Sequence, residues 1–125
     1  MSPKKYDNIY VDYSFSLKDK EQGDIITPEM WTLLKNIETE GSISAAASIM
    51  KISYRKAWDM VKNCEMRLGI CILNKVRGGA SGGRTELSPE GEKLMRAYDN
   101  MIGEVESAFE EYIVCFKRTL KGKSV

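Results

Sequence analysis

The feature that most constrains the fold is a pair of short helical patterns separated by only two residues. Ser42 is an N-cap before the alanine-rich segment ISAAASIM, and Ser53 caps a second pattern that runs to about Leu68. The alanines allow a neighbouring helix to approach closely, and Lys51-Ile52 is a tight connection. Two short helices joined in this way form a helix-turn-helix, whose second helix usually enters the DNA major groove. We therefore predict a helix-turn-helix over about residues 42–68.

Two further segments precede this pair. Residues 9–17 alternate apolar with polar side chains and are rich in β-branched and aromatic types, which predicts a half-buried strand. The polar segment KDKEQGD that follows is predicted to be a loop. Thr27-Pro28-Glu29 supplies an N-cap, a first-turn proline and an early acid, and Gly41 supplies a stop. These signals predict a first helix over about residues 28–40.

A glycine-rich hairpin and a long helix are predicted after the pair. Residues 71–87 hold two short extended runs around the segment RGGASGG, which predicts a β-hairpin with a long tip, or wing. A disordered tip is the alternative. Ser88-Pro89-Glu90 then repeats the helix-start signal, and the last helix is predicted over about residues 89–119.

The last helix carries an apolar stripe with spacings of three and four residues, close to a coiled-coil seam. At ~1.5 Å per residue, a helix of about thirty residues is roughly 45 Å long, more than so small a core can cover. A partner chain is the simplest cover, so we predict a homodimer. The predicted interface residues are Leu94, Tyr98, Met101, Val105, Phe109, Tyr112 and Phe116.

Composition narrows the possible functions. The chain has 125 residues, the length of one ordinary domain, and its three cysteines are odd in number and widely spaced. It has no histidine, which removes His-based acid–base and nucleophilic catalysis and the commonest metal ligand. No segment approaches the roughly 18 apolar residues of a membrane span, and the start lacks a signal peptide. We predict a cytoplasmic binding module without catalytic residues, metal or enzyme activity.

The net charge of +1 hides an uneven distribution. Residues 42–84 carry eight basic and two acidic side chains, a net charge of +6, whereas the rest of the chain carries eleven basic and sixteen acidic, a net charge of −5. A basic middle between acidic flanks is typical of a surface that meets phosphate. The alternative is a solvated surface that is merely rich in lysine.

Four motifs in this order resemble a known family. Gly41–Ala47, Ser53–Trp58, Arg77–Gly83 and Leu87–Gly91 closely resemble the DNA-binding domain of the molybdate-responsive ModE-type repressors. The resemblance spans roughly residues 9–116. LysR-type N-terminal domains share the second-helix pattern more loosely, but they lack the SYRKAW segment and the glycine-rich wing.

The resemblance implies a single domain over residues 1–125, mainly α with a small β component. The implied fold is a winged helix-turn-helix with an N-terminal strand and a long C-terminal dimerisation helix. In full-length members, a paired β-barrel domain that binds molybdate or tungstate follows. The 125 residues show no such domain, so we expect DNA binding to carry over and oxyanion sensing not to, and we predict no cofactor. The expected partners are double-stranded DNA and a second copy of the chain, with a separate sensor protein as the partner in the alternative function.

The candidate DNA-binding residues lie at the helix starts, on the second helix of the pair and in the wing. They are Ser42, Ser44, Ser53, Tyr54, Arg55, Lys56, Lys62, Lys75, Arg77, Gly78, Gly79 and Arg84. Arg55 is the candidate for direct base readout, because a bidentate Arg–guanine contact discriminates between bases by about 1–3 kcal/mol. The lysines are expected to contact phosphates without regard to sequence.

Several of these side chains have alternative interpretations. Tyr54 contacts either DNA or the core, and Trp58 is predicted to pack in the core. Asp59 is predicted to orient Arg55 or Lys62 at helical spacing. Cysteines 64 and 115 lie on apolar stripes and are predicted to be buried thiols.

Two functions of different classes remain. The first is a homodimeric, sequence-specific DNA-binding transcription regulator, with a recognition helix in the major groove and a wing on the backbone or minor groove. The second is a winged-helix interaction module that docks a separate sensor or regulator through its long helix. The +6 middle favours the first, because a protein-docking surface has no need of that charge.

Overall fold

The computed structural model describes residues 5–76 and 84–122, with the backbone alone at positions 75 and 76. The chain divides into two compact units, and the single domain predicted over residues 1–125 stays a prediction. We call Ser14–Met95 the helix-turn-helix unit. The other unit joins Met1–Tyr13 to Arg96–Val125, and we call it the C-terminal helix unit. The division follows from the length of the last helix, whose later turns make their contacts within the second unit.

The first helix, α1, spans Pro28–Glu40, the predicted range. The Thr27 hydroxyl accepts a hydrogen bond from the Met30 amide at 3.1 Å, which satisfies one of the free N–H groups of the first turn. Gly41 ends the helix in the left-handed conformation, with φ of 78°, and its amide bonds to the carbonyl of Ile37.

The helix-turn-helix consists of α2 (Ile43–Met50) and α3 (Tyr54–Leu68). The Ser42 hydroxyl caps α2 through the Ala45 amide at 2.9 Å, and the Ser53 hydroxyl caps α3 through the Lys56 amide at 3.0 Å. The connection is as tight as predicted. It turns at Lys51, which adopts a left-handed conformation with φ of 59°.

A short hairpin precedes α1, and here the prediction is wrong. Strand β1 covers Leu17–Asp19 and pairs antiparallel with β2, which covers Gly23–Ile26. Residues 9–16 have no regular secondary structure, although the sequence predicts a strand over 9–17, and β2 lies partly in the segment predicted to be a loop. A strand requires a hydrogen-bonded partner, and the β1–β2 ladder begins only at Leu17. The Asp19 carboxylate closes the turn by accepting hydrogen bonds from the amides of residues 21 and 22.

The wing is an antiparallel hairpin of β3 (Leu73–Val76) and β4 (Arg84–Leu87). The register pairs the first residue of β3 with the last residue of β4, and the last of β3 with the first of β4. The Thr85 amide donates to the Gly41 carbonyl at 2.8 Å, which ties β4 to the end of α1. The predicted tip, including Arg77, lies outside the described residues.

The last helix, α4, spans Pro89–Leu120 and is close to the predicted 89–119. Ser88 accepts a hydrogen bond from the Gly91 amide at 2.9 Å and so caps its first turn. Gly91 allows α4 to pack closely on the wing. A Cβ added at this position would clash with the Ile72 carbonyl oxygen and lie 3.2 Å from its Cγ2.

The helix-turn-helix unit has a closed apolar core. Its buried hydrophobic residues are Ile26, Met30, Leu33, Leu34, Ile37, Ile43, Ala46, Ala47, Ala57, Val61, Cys64, Ile72, Leu87 and Met95. Small alanines on α2 and α3 let the helices approach closely, and larger side chains of α1 fill the space. Within the described residues, every buried side-chain nitrogen or oxygen has a hydrogen-bond partner.

The C-terminal helix unit lays residues 9–13 along α4. The Tyr13 ring packs on Phe109 with their centroids 4.6 Å apart. A shallow groove of about 270 Å³ runs between the two segments. Its other lining residues include Ile9, Val11 and Ile113. In the described part of the chain, no helix is both long and apolar enough to cross a membrane.

Candidate nucleic-acid interface

The two faces of α3 differ sharply in burial. Ala57, Val61 and Cys64 face the core and are at most 2% exposed. Tyr54 is 52% exposed, and the Arg55 side chain is 84% exposed. The predicted choice for Tyr54 between core and surface is thus decided, since its ring lies at the surface. The N-terminal half of α3 presents a polar and aromatic face to solvent.

Ion pairs hold the long side chains of this face in place. The Arg55 Nε lies 3.4 Å from the Asp59 Oδ1, at i,i+4 spacing, which confirms the predicted pairing of Asp59 with Arg55. Lys62 does not pair with Asp59. Its ammonium lies 3.2 Å from the Glu65 carboxylate instead. Exposed pairs of this kind contribute about 0–1 kcal/mol to stability, so they orient the side chains more than they stabilise the fold.

Trp58 is the main correction on this face. The sequence predicts core packing, but the residue is 37% exposed, and the Lys62 ammonium lies 5.4 Å from the centroid of its ring. Ala57 occupies the core-facing position, and the next residue is rotated about 100° away from it on a helix of 3.6 residues per turn. The spacing of Tyr54, Trp58 and Lys62 at successive i+4 positions is the signal that could have placed Trp58 on the outer face.

Two of the three candidate serines cap helices, and the third is exposed. The hydroxyls of Ser42 and Ser53 are engaged in capping, and Ser44 is exposed in the first turn of α2. The Lys56 ammonium lies 3.2 Å from the Glu29 carboxylate, which joins the first turns of α3 and α1. Lys56 is therefore partly neutralised within the chain.

The wing residues are only partly placed. Arg84 begins β4, is exposed, and lies 3.5 Å from the Glu86 carboxylate. Lys75 is in β3, opposite Thr85 in the register, with only its backbone described. Arg77, Gly78 and Gly79 lie outside the described residues.

Glu65 is a residue that the sequence prediction missed. Its side chain is 12% exposed and lies between α3 and the first residues of the wing. Burial acts to raise the pKa of its carboxyl, but hydrogen bonds from the Ile72 amide and the Lys62 ammonium outweigh this, and the pKa lies below its ordinary value. Glu65 is therefore an ionised acceptor at neutral pH. The one feature of the sequence that singles out Glu65 is that it is an acidic residue in a basic segment.

The predicted interface residues on α4 differ in exposure. Met101 is 37% exposed, Tyr112 is 61% exposed and Phe116 is 53% exposed. Leu94, Val105 and Phe109 are half-buried. Tyr98 is only 4% exposed and offers almost no surface to a partner.

The cysteines divide in a different way from the prediction. Cys64 is buried, as predicted, whereas Cys115 is exposed. The prediction is wrong for Cys115, which is exposed and does not line the groove that Ile113 forms with residues 9–13.

Comparisons with known proteins identify relatives of the same kind as the predicted family. The chain is 37% identical over 92 residues to the molybdenum-pterin-binding protein MopB of Rhodobacter capsulatus, covering 74% of this chain and 33% of that protein. It is 36% identical over 89 residues to the transcriptional regulator ModE of Haemophilus influenzae, covering 71% and 35%. It is 34% identical over 83 residues to the transcriptional regulator ModE of Yersinia pestis, and the match covers 66% of this chain and 32% of that protein.

The resemblance to ModE-type regulators is confirmed. The ModE-like chain spans about a third of the length of these curated relatives. No protein-family model matches it. These relatives carry the names of regulators and of a pterin-binding protein rather than of enzymes, in agreement with the prediction that the chain is not an enzyme.

Solved structures confirm the fold class. The DNA-binding domain of CbnR, in a complex with DNA, superposes with a TM-score of 0.53 and 15% identity, covering 70% of this chain and 94% of that one. The DNA-binding domain of BenM, bound to its benA site 1 DNA, gives a TM-score of 0.52 and 21% identity, covering 73% and 95%. CbnR is a LysR-family transcriptional regulator. The ModE-like chain is thus a mainly α, winged helix-turn-helix protein with a small β component.

Proposed function

We propose that this chain is a homodimeric, sequence-specific DNA-binding transcription regulator. The observation that carries the proposal is the exposed N-terminal half of α3, where the Arg55 side chain is 84% exposed while Ala57, on the opposite face, is fully buried. Arg55 is not part of the apolar core. Its exposed position therefore fits recognition of a partner. The relatives named as transcriptional regulators and the DNA complexes of the structural neighbours support DNA as that partner.

In this proposal α3 enters the major groove. Arg55, held by Asp59, reads base edges, and a bidentate contact with guanine discriminates by about 1–3 kcal/mol. Tyr54, Lys56 and Lys62 contact the adjacent backbone. The N-termini of α2 and α3, with Ser42, Ser44 and Ser53, supply further amides or hydroxyls for phosphates.

The wing supplies the second contact. Lys75 and Arg84 lie on its strands, and Arg77, Gly78 and Gly79 lie in its predicted tip. We propose that these residues contact the backbone or the minor groove. Contacts of this type raise affinity for every sequence and make it depend on salt.

The dimer is the third part of the proposal. Eight large apolar side chains of the C-terminal helix unit are exposed, and a surface rich in such side chains fits an interaction site. These side chains are Ile9, Tyr10, Val11, Met101, Tyr112, Val114, Phe116 and Leu120. We propose that a second copy covers part of this surface and that the two copies of α3 bind half-sites about 34–36 Å apart, as in other helix-turn-helix dimers.

We propose no molybdenum or oxyanion site for this chain. The names of the relatives refer to proteins about three times as long as the matched segment.

The same apolar surface supports an alternative, an interaction module that docks a separate sensor or regulator. The exposure of Tyr112 and Phe116 favours it as much as it favours a homodimer. The charged face of α3 does not favour it, because docking through α4 gives Arg55 no role.

The experiment that tests the proposal is selection of duplexes from a random library, followed by fluorescence anisotropy of the best duplex and a scrambled one at several salt concentrations. We expect tighter binding to the selected duplex and an affinity for both that falls as salt rises. Equal, weak binding to both duplexes would contradict sequence-specific recognition and favour the interaction module. No binding at low salt would contradict DNA binding altogether.

A further inference from the structure

A single carboxylate of α3 holds the base of the wing. One oxygen of Glu65 accepts a hydrogen bond from the Ile72 amide at 2.7 Å and a longer one from the Leu73 amide at 3.4 Å. The other oxygen lies 3.2 Å from the Lys62 ammonium. Glu65 thus joins the residues immediately before and at the start of β3 to the outer face of α3. A carboxylate suits this position because it accepts several hydrogen bonds at once.

The same peptide is fixed from its other side. The Ile72 carbonyl accepts a hydrogen bond from the Ser88 amide at 2.8 Å, and the Ser88 hydroxyl donates to the Cys71 carbonyl. Gly91 packs directly on Ile72, where an added Cβ would clash. The start of the wing is therefore clamped between α3 and the first turn of α4. Glu65 is the α3 side of that clamp.

The hairpin transmits the position of this base to its cations. Four residue pairs run from Leu73↔Leu87 to Val76↔Arg84, so β3 and β4 move together as one ladder. At ~3.3 Å per residue, the ladder carries Arg84 roughly 10 Å from the clamp. A small tilt at the base then becomes a displacement of the wing cations relative to α3.

We propose that Glu65 is a positioning residue that sets the wing relative to the recognition helix, so that both elements reach the same stretch of DNA. This inference rests on the proposed DNA-binding function. Glu65 itself does not touch DNA in this account. It acts through the wing, and its effect on binding therefore requires the wing cations.

The test is a double-mutant cycle measured by anisotropy with the selected duplex. Glu65→Ala is compared with wild type, first with the wing intact and then in a wing-neutralised background that carries Lys75→Ala, Arg77→Ala and Arg84→Ala. We expect Glu65→Ala to weaken binding about tenfold with the wing intact and less than about twofold without it, as for residues that act through one another. Circular dichroism establishes that each variant is folded.

Glu65→Gln separates the hydrogen bonds from the charge. It keeps an oxygen for the Ile72 amide, whereas both variants free Lys62 from its carboxylate partner. We therefore expect Glu65→Gln to bind within about threefold of wild type, and the gap between the two variants to report the hydrogen bonds to the wing. If Glu65→Ala does not fold, Glu65→Met, which fills the space but offers no oxygen to the Ile72 amide, is measured in both backgrounds, and a loss confined to the intact wing is expected.

Asp59→Ala is the matched control, because it removes an exposed carboxylate from the same helix without touching the wing. Its effect should be equal in the two backgrounds. An equal effect of Glu65→Ala in both backgrounds, or no effect of Glu65→Ala with the wing intact, overturns the inference and leaves the DNA-binding proposal in place. If wild type itself binds no DNA, both fail.

Discussion

The two units of this chain differ in how far they bury their large apolar side chains. In the helix-turn-helix unit, Leu33, Leu34 and Ile37 of α1 are fully buried. In the C-terminal helix unit, Tyr112 is 61% exposed and Phe116 is 53% exposed on a helix of 32 residues. The first unit buries its own core, and the second exposes large apolar side chains, which we propose that a partner covers. The comparison separates the part of the chain that we propose to read DNA from the part that we propose to pair the protein.

The largest expected effect comes from placing charges on the predicted interface residues of α4. Val105→Glu combined with Tyr112→Glu places like charges opposite each other in a homodimer, and burial of unpaired charge is costly. We expect the double variant to sediment as a monomer at concentrations where wild type is a dimer. Ser107→Glu, on the polar face lined by residues 99, 100, 103 and 104, is the control and should remain a dimer. A persistent dimer in the double variant would place the interface elsewhere.

The second effect compares truncations in the two units. Leu33→Ala removes a fully buried side chain and should lower the free energy of unfolding by about 2–5 kcal/mol. Val114→Ala, at a 52% exposed position off the predicted seam, should change it by less than about 0.5 kcal/mol. Urea denaturation measures both. Similar losses for the two variants would mean that the C-terminal helix unit has a core of its own.

The third effect uses the cysteines. Burial raises the pKa of the Cys64 thiol to about 11, and the nearby Glu65 carboxylate adds to the shift. About 0.1% of this thiol is then ionised at pH 8, and only the thiolate reacts. In a thiol titration at pH 8, we expect the exposed Cys71 and Cys115 to react at least about a hundredfold faster than Cys64.

The pH dependence of the reaction rate of Cys64 tests whether the pKa of its thiol is raised. A raised thiol pKa means that the reaction rate of Cys64 should climb about tenfold per pH unit until the pH approaches 11, provided that the fold persists. Cys71→Ala and Cys115→Ala assign the two fast thiols. Three thiols of equal rate in the native protein would contradict the closed core of the helix-turn-helix unit.

The helices could be predicted because their signals are local. Thr27, Ser42, Ser53 and Ser88 cap the four helices within three residues of their own positions, so a short stretch of sequence contains all the information needed. The tight turn of the helix-turn-helix is local in the same sense.

The strand at residues 9–17 could not be placed from its pattern alone. The alternation is real, since Phe15 and Leu17 are half-buried while Ser14 and Ser16 are exposed. A ladder also needs a partner, and the partner GDII at Gly23–Ile26 shows no alternation that would reveal it. The alternation of buried and exposed side chains can be predicted from one segment alone. Strand pairing cannot, because it also depends on a second segment.

The candidate site shows the same division. Arg55 and its partner Asp59 could be predicted, because a helical spacing of four residues brings them together. Glu65 could not, because its partners Ile72 and Leu73 donate backbone amides that no side-chain pattern reports. The prediction that Trp58 packs in the core is wrong, because an apolar ring favours burial but its position on α3 faces outward.

The most direct test of the central claim is the discrimination of Arg55→Ala between the selected and the scrambled duplex, measured by fluorescence anisotropy at one salt concentration. Lys20→Ala, a loss of the same charge from the turn between β1 and β2, is the matched control. Our account predicts that the ratio of the two affinities falls by about 5- to 150-fold in Arg55→Ala, equivalent to ~1–3 kcal/mol, and does not change in Lys20→Ala. An unchanged ratio in Arg55→Ala would contradict recognition through α3.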